Sequence, residues 1–196
     1  MRKIKYFFGA MVLAAVLTAN PALALVAPSP DPAPIPPPPP NDRQALYRLY
    51  NPVINDHFYT ANQDEANAVT TSHGYIMEGG IGYVSRYQLD GTVKMYRMWN
   101  PHINKHFYTT SYDEMTHAPT LGYIYEGVTG WIAANCSNVN DLVCHGGKAL
   151  YRLYNPGLNK HFYTVDATER DYVITHLGYV SEDQLGWLLD GILYPQ

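Results

Sequence analysis

The chain has 196 residues and a formal charge of −4, with charged residues at only 15% where about 25% is usual. Tyrosine alone accounts for 18 positions, and this aromatic, charge-poor composition excludes an acidic disordered chain and a coiled coil. Without Arg2, Lys3 and Lys5 of the export signal described next, 10 basic residues face 17 acidic ones, a formal charge of −7. A nucleic-acid partner is therefore not expected, because tracking phosphates needs a basic footprint.

Residues 1–24 read as a secretory signal peptide. The three cations lead into an apolar run from Tyr6 to Ala19, shorter than the roughly 20 residues a membrane helix needs. Ala22-Leu23-Ala24 supplies a small-x-small cleavage site behind the helix breaker Pro21. The address implied is secreted, periplasmic or cell-surface, with no transmembrane segment in the mature chain. Residues 25–43 form a proline-rich linker, including the block Pro36 to Pro40. Such a run favours stiff polyproline II and builds neither helix nor sheet. In an oxidising compartment the two cysteines, Cys136 and Cys144, are expected to pair across a short loop.

The rest, residues 44–196, repeats one unit three times, over about 45–93, 94–148 and 149–196. Leu46-Tyr47-Arg48-Leu49-Tyr50-Asn51-Pro52 recurs as Met95-Tyr96-Arg97-Met98-Trp99-Asn100-Pro101 and as Leu150-Tyr151-Arg152-Leu153-Tyr154-Asn155-Pro156. His57-Phe58-Tyr59-Thr60 recurs as His106-Phe107-Tyr108-Thr109 and as His161-Phe162-Tyr163-Thr164. The first Tyr returns after 49 and then 55 positions, so the cysteine loop is an insertion between the second and third copies.

Asn62, Ser111 and Asp166 are predicted N-caps of short helices. Glu65, Glu114 and Glu169 stand three residues on, where a capping box would place them. Gly74, Gly122 and Gly178 are predicted helix stops. Two short strands are then expected in each copy, Tyr75–Glu78 and Gly82–Val84 in the first, joined by a tight turn at Gly79-Gly80. The fold expected is mainly β with short helices (α+β). A pseudo-threefold closed ring, three-bladed and propeller-like, buries three apolar faces without long sheet edges, and a β-trefoil-like ring is the alternative.

This pattern of Tyr-Arg-(Leu/Met)-(Tyr/Trp)-Asn-Pro, His-Phe-Tyr-Thr, Gly-Tyr-(Ile/Val)-x-Glu and Gly-(Tyr/Trp) resembles a repeat family of unassigned function in secreted bacterial and fungal proteins. The resemblance covers residues 45–190. It implies an accessory module, alone or appended to lytic or hydrolytic enzymes, that binds cell wall or carbohydrate. The third copy departs from the pattern by carrying Asp183 after Glu182, which is expected to reshape one hairpin.

The candidate ligand-binding residues are the recurring polar ones: Arg48, Asn51, His57 and Tyr59; Arg97, Asn100, His106 and Tyr108; Arg152, Asn155, His161 and Tyr163. Each has a structural alternative. The Arg side chains suit pairs with Glu78, Glu126 and Glu182, the Asn side chains suit Asx turns, and the His side chains suit half-buried hydrogen-bonding positions. Three imidazoles facing one axis would also suit zinc. Tyr50, Trp99, Tyr154, Tyr83, Trp131 and Trp187 are read mostly as core, with a minority exposed as sugar platforms.

No nucleophile elbow, phosphate loop or cofactor fingerprint is present, so no cofactor and no catalytic residue is assigned. The leading expectation is a non-catalytic module for glycan or cell-envelope polymer. A structural or protein-adhesion domain and a cell-wall hydrolase are the alternatives.

Overall fold

The structure, a computed structural model, describes residues 42–136 and 146–190. The signal peptide, nearly all of the proline-rich linker, Cys144 and the end of the chain from residue 191 lie outside the described residues. The first repeat builds strands β1 (Arg43–Asn51) and β2 (Asp56–Thr60), helix α1 (Gln63–Ser72) and strand β3 (Ile76–Ser85). The second builds β4 (Thr92–Asn100), β5 (Lys105–Thr109), α2 (Tyr112–His117) and β6 (Ile124–Ala133). The third builds β7 (Lys148–Asn155), β8 (Lys160–Thr164), α3 (Ala167–His176) and β9 (Val180–Leu188). The fold is thus mainly β, with nine antiparallel strands and three short helices. The strands run β2-β1-β3-β6-β9-β7-β8, with β4 and β5 branching from β6, and do not close into a barrel. Among the described residues no helix is long and apolar enough to cross a membrane.

Within each repeat the hairpin pairs with one long return strand. The expected pair of short strands after each helix is one continuous strand instead, because the glycines there make bulges and no turn. Arg48 faces Gly79 and Leu49 faces Met77, leaving Glu78 as the extra residue; Ile81 is extra in the same way. Glu126 and Thr129 occupy these positions in β6, and Glu182 and Leu185 in β9. The first bulge needs a positive φ, which Gly79 (118°) and Gly127 (125°) adopt without a Cβ penalty. Asp183 takes the same conformation at 96°, so the third repeat keeps the bulge with a strained residue and is not reshaped.

Asn62, Ser111 and Asp166 cap their helices, each accepting from the amide three residues on. Pro119 ends α2 early, and a 3-10 turn over Ala118–Leu121 completes it.

The core has one shared cluster, one satellite under each helix, and a small cluster of Ala133 and Leu189 packed by Leu89, Cys136 and Trp187. Leu46, Met95 and Leu150, with Val84, Ile132 and Leu188, pack around Tyr59, Tyr108 and Tyr163. Each helix covers a smaller cluster of its own repeat: Leu49 with Phe58, Met98 with Phe107, and Leu153 with Phe162. The six rings assigned mainly to the core do not form it. Tyr50, Trp99, Tyr154, Trp131 and Trp187 are half-buried and Tyr83 is exposed, while both faces of the His-Phe-Tyr-Thr strands are covered.

The return strands meet each other through Ser85 with Trp131, Ala133 with Trp187, and Tyr83 with Leu189. Glycine permits these approaches. A Cβ on Gly130 would stand 2.4 Å from Val84, and one on Gly186 would stand 2.5 Å from the Ala133 carbonyl oxygen.

Candidate functional site at the repeat junctions

Tyr59, Tyr108 and Tyr163 are fully buried and bond each other's backbone in cyclic order. The Tyr59 hydroxyl donates to the Tyr163 carbonyl at 2.7 Å and accepts from the Tyr163 amide at 3.0 Å. Tyr163 treats Tyr108 in the same way, and Tyr108 treats Tyr59 so. The three rings meet edge to face at 5.3 to 5.4 Å. Burial pushes all three phenols well above their ordinary pKa, so they stay protonated and able to donate. These residues are core, and a ligand-contacting role for them is replaced by this fully bonded cycle.

Outside that centre each junction carries one polar cluster. At the first junction Arg97 donates from both terminal nitrogens to Glu65 of the preceding repeat, each at 2.9 Å. Its Nε pairs with the bulge residue Glu126 at 3.0 Å, and its guanidinium lies 4.9 Å from the Phe58 ring centre. His106 packs on the same Phe58 ring at 4.9 Å, with Nε2 3.7 Å from Glu126. Arg152, Glu114, Glu182, Phe107 and His161 repeat this at the second junction. Arg48, Glu169, Glu78, Phe162 and His57 repeat it between the third repeat and the first.

The helix glutamates do not close the expected capping boxes. Thr60 takes the Asn62 amide that a capping box would give to Glu65, and donates its own hydroxyl to Glu65. Glu65 is left free to bind Arg97. Burial opposes ionisation of Glu65 and Glu114, but the arginine and threonine hydrogen bonds outweigh it and hold both carboxyls below the ordinary range. Neither is a proton donor near neutral pH.

The residues preceding the histidines carry unlike charges. Asp56, Lys105 and Lys160 are buried. Asp56 accepts from Tyr75 at 3.0 Å and lies 2.6 Å from His106 Nδ1. Lys105 donates to the Ile54 carbonyl, and Lys160 to Asn55 at 2.8 Å. Burial lowers Lys160 to about 8, with Lys105 adding to the effect against the opposing pull of Asp56. Burial likewise lowers His57 to about 2, with Lys160 and Arg48 contributing.

Beside the first Arg–Glu pair lies an open groove of about 870 Å³, lined by Gln44, Tyr47, Asn62, Arg86, Arg97 and Thr129 among others. A smaller one of about 170 Å³ adjoins Arg152 and Glu114 at the second junction. Their lining is mostly side-chain amides, hydroxyls and charges, with Tyr47 as an aromatic wall in the first. The set offers donors and acceptors to a polyhydroxylated ligand and little to an apolar one.

A family model described as Domain of unknown function (DUF5648) matches residues 34–133 and 130–189. The chain belongs to that family. No curated protein and no solved structure matches it.

In this DUF5648 chain Arg97 and Arg152 line the grooves, and Arg48 holds the equivalent place at the third junction. Asn51, Asn100 and Asn155 are buried away from them. Each donates to a carbonyl near the end of its helix and accepts an amide of the turn after it. They tie hairpin to helix, as the Asx-turn alternative expected. His57, His106 and His161 each face the bulge glutamate of their own repeat, with no three-imidazole centre. Among the described residues no three His, Cys, Asp or Glu side chains are grouped to hold a metal. Sequence reasoning missed Tyr47, Asn62, Arg86 and Thr129. The recurrence Thr60-x-Asn62-x-x-Glu65, Thr109-x-Ser111-x-x-Glu114 and Thr164-x-Asp166-x-x-Glu169 was the available signal, because its first and last members bracket the groove floor.

Proposed function

We propose that this chain is an exported, non-catalytic module that binds carbohydrate, such as a cell-envelope glycan, through grooves between repeats. The repeats close into a three-bladed, propeller-like ring, and the proline-rich segment spaces that ring from its surroundings. The observation that carries the reading is the polar groove walled by Tyr47 at the first junction, with a smaller counterpart at the second. A ring face takes sugar CH groups while Asn, Gln and Arg take hydroxyls. The low-lying pKa of Glu65 and Glu114, each locked to an arginine, supports binding over hydrolysis, since a glycosidase needs one carboxyl kept protonated.

The paired Arg–Glu hydrogen bonds at all three junctions favour a structural role for those residues themselves. In the binding reading they form the floor, and residues around them meet the ligand. Retention of the purified mature protein on insoluble polysaccharides tests this directly. Binding to at least one neutral polysaccharide, competed by its soluble oligomers, is expected. Failure to bind any envelope or storage polysaccharide overturns it in favour of a protein-adhesion domain.

A further inference from the structure

The first two junctions share a plan but differ in the size of their grooves. The reason lies at the second bulge position of the return strands. That position holds Ile81, Thr129 and Leu185. Leu185 is buried in the central cluster and Ile81 packs against it. Thr129 is smaller, and its hydroxyl is buried with no hydrogen-bond partner. A polar group in that state is unfavourable where Ile and Leu pack well in the sister repeats, so packing does not account for it. The other bulge differs in the same sense: Gly127 and Val128 line the first groove where Asp183 and Gln184 line the second. The groove at Thr129 is the large one, about 870 Å³ against about 170 Å³.

Its free charges identify the ligand class. Arg97 is neutralised by Glu65 and Glu126. Asp64 and Arg86 are exposed at the rim, and neither makes an ion pair among the described residues. The Arg86 position is Ala134 in the second repeat and Asp190 in the third, so the third repeat carries no matching cation. Three carboxylates and two guanidiniums leave the groove slightly negative, which disfavours a polyanion. A carboxylate and a guanidinium, both free, suit neighbouring hydroxyls of an uncharged sugar as acceptor and donor.

We infer that the first junction alone is a ligand-sized site, and that it takes one neutral oligosaccharide per chain, with Thr129 setting the depth and Arg86 and Asp64 gripping hydroxyls. This rests on the carbohydrate-binding reading and narrows it from repeated sites to one. Calorimetric titration of the mature protein with chitotriose, cellotriose and mannotriose tests it, with trigalacturonate as the anionic control. One neutral probe is expected to bind at a single site per chain. Thr129→Leu, which copies the third repeat, is expected to weaken it about tenfold or more. Arg86→Gln, at an exposed unpaired side chain, is expected to weaken it about threefold or more without loss of fold, and Gln184→Ala at the second junction to leave it unchanged. Two or three sites per chain, or saccharide binding untouched by both Thr129→Leu and Arg86→Gln, overturns the single-site inference while leaving the carbohydrate reading in place. Binding of trigalacturonate alone overturns the neutral-ligand assignment, and no binding of any probe overturns both.

Discussion

Arg48 and Glu169 lie 121 positions apart and share two hydrogen bonds, at 2.8 and 3.1 Å. The pair joins the first repeat to the third with the geometry that Arg97–Glu65 and Arg152–Glu114 use between neighbours. Glu169→Gln is therefore expected to destabilise the fold as much as Glu65→Gln does, by about 1–2 kcal/mol for a partly exposed charge-assisted pair. Urea unfolding of the two variants checks this. A neutral Glu169→Gln beside a costly Glu65→Gln would mean that the first and third repeats do not hold each other.

The tyrosine cycle makes a sharper demand. Tyr108→Phe removes one hydroxyl that serves the Tyr59 amide and carbonyl together. Both groups are then buried without partners, and a loss of about 2–4 kcal/mol is expected. Thermal unfolding measures it. A loss no larger than that of an exposed Tyr112→Phe control would show that the cycle contributes little.

Acid should weaken the fold through His57. Its folded pKa, about 2, lies below the unfolded value of 6.5, so the unfolded chain binds the extra proton between those limits. Stability from this group is complete above about pH 6.5 and falls as pH drops below it, by up to about 1.4 kcal/mol per pH unit. Glu65 and Glu114, also held low, act in the same direction at lower pH. His57→Phe is expected to flatten the loss of stability between pH 6.5 and pH 5. An unchanged slope in that interval would mean that His57 is not held neutral.

Asp183 occupies a backbone conformation that glycine fills in the first two repeats. Asp183→Gly is expected to stabilise the protein by about 1 kcal/mol by relieving the positive φ. Denaturant midpoints for the two proteins decide it, and a loss of stability on substitution would point to an interaction of the carboxylate that outweighs the strain.

Cys136 is half-buried against Ala133, Leu89 and Trp187. The sequence expectation is that it pairs with Cys144, and such a bond is expected to stabilise the protein by about 2–3 kcal/mol through the short loop it would close. Intact mass before and after reduction, with alkylation under denaturing conditions, tests the pairing. Two alkylated thiols without reductant would refute it.

The elements were legible in the sequence where local chemistry decides them. Asn62, Ser111 and Asp166 announce caps, Gly74 and Gly178 announce helix ends, and Asn-Pro announces the hairpin turn. Asn51 was readable as an Asx turn for the same reason. The Gly79-Gly80 pair misled, because a glycine with positive φ serves a turn and a bulge equally, and only the pairing of β1 with β3 distinguishes them. The arginine partners were half legible. Glu78 recurs in the same repeat, whereas Glu65 reaches across a junction that no local pattern encodes. The groove was not legible, since residues of two repeats line it and no local pattern encodes their meeting.

The central claim is that sugar is bound at the first junction, and backbone amide NMR during titration with a neutral trisaccharide tests it most directly. Saturable shifts concentrated at residues 60–65 and 126–129, with the corresponding residues 164–169 and 78–81 unmoved, are the predicted result. Shifts centred on another surface, or none at concentrations far above those of ordinary lectin binding, would contradict it.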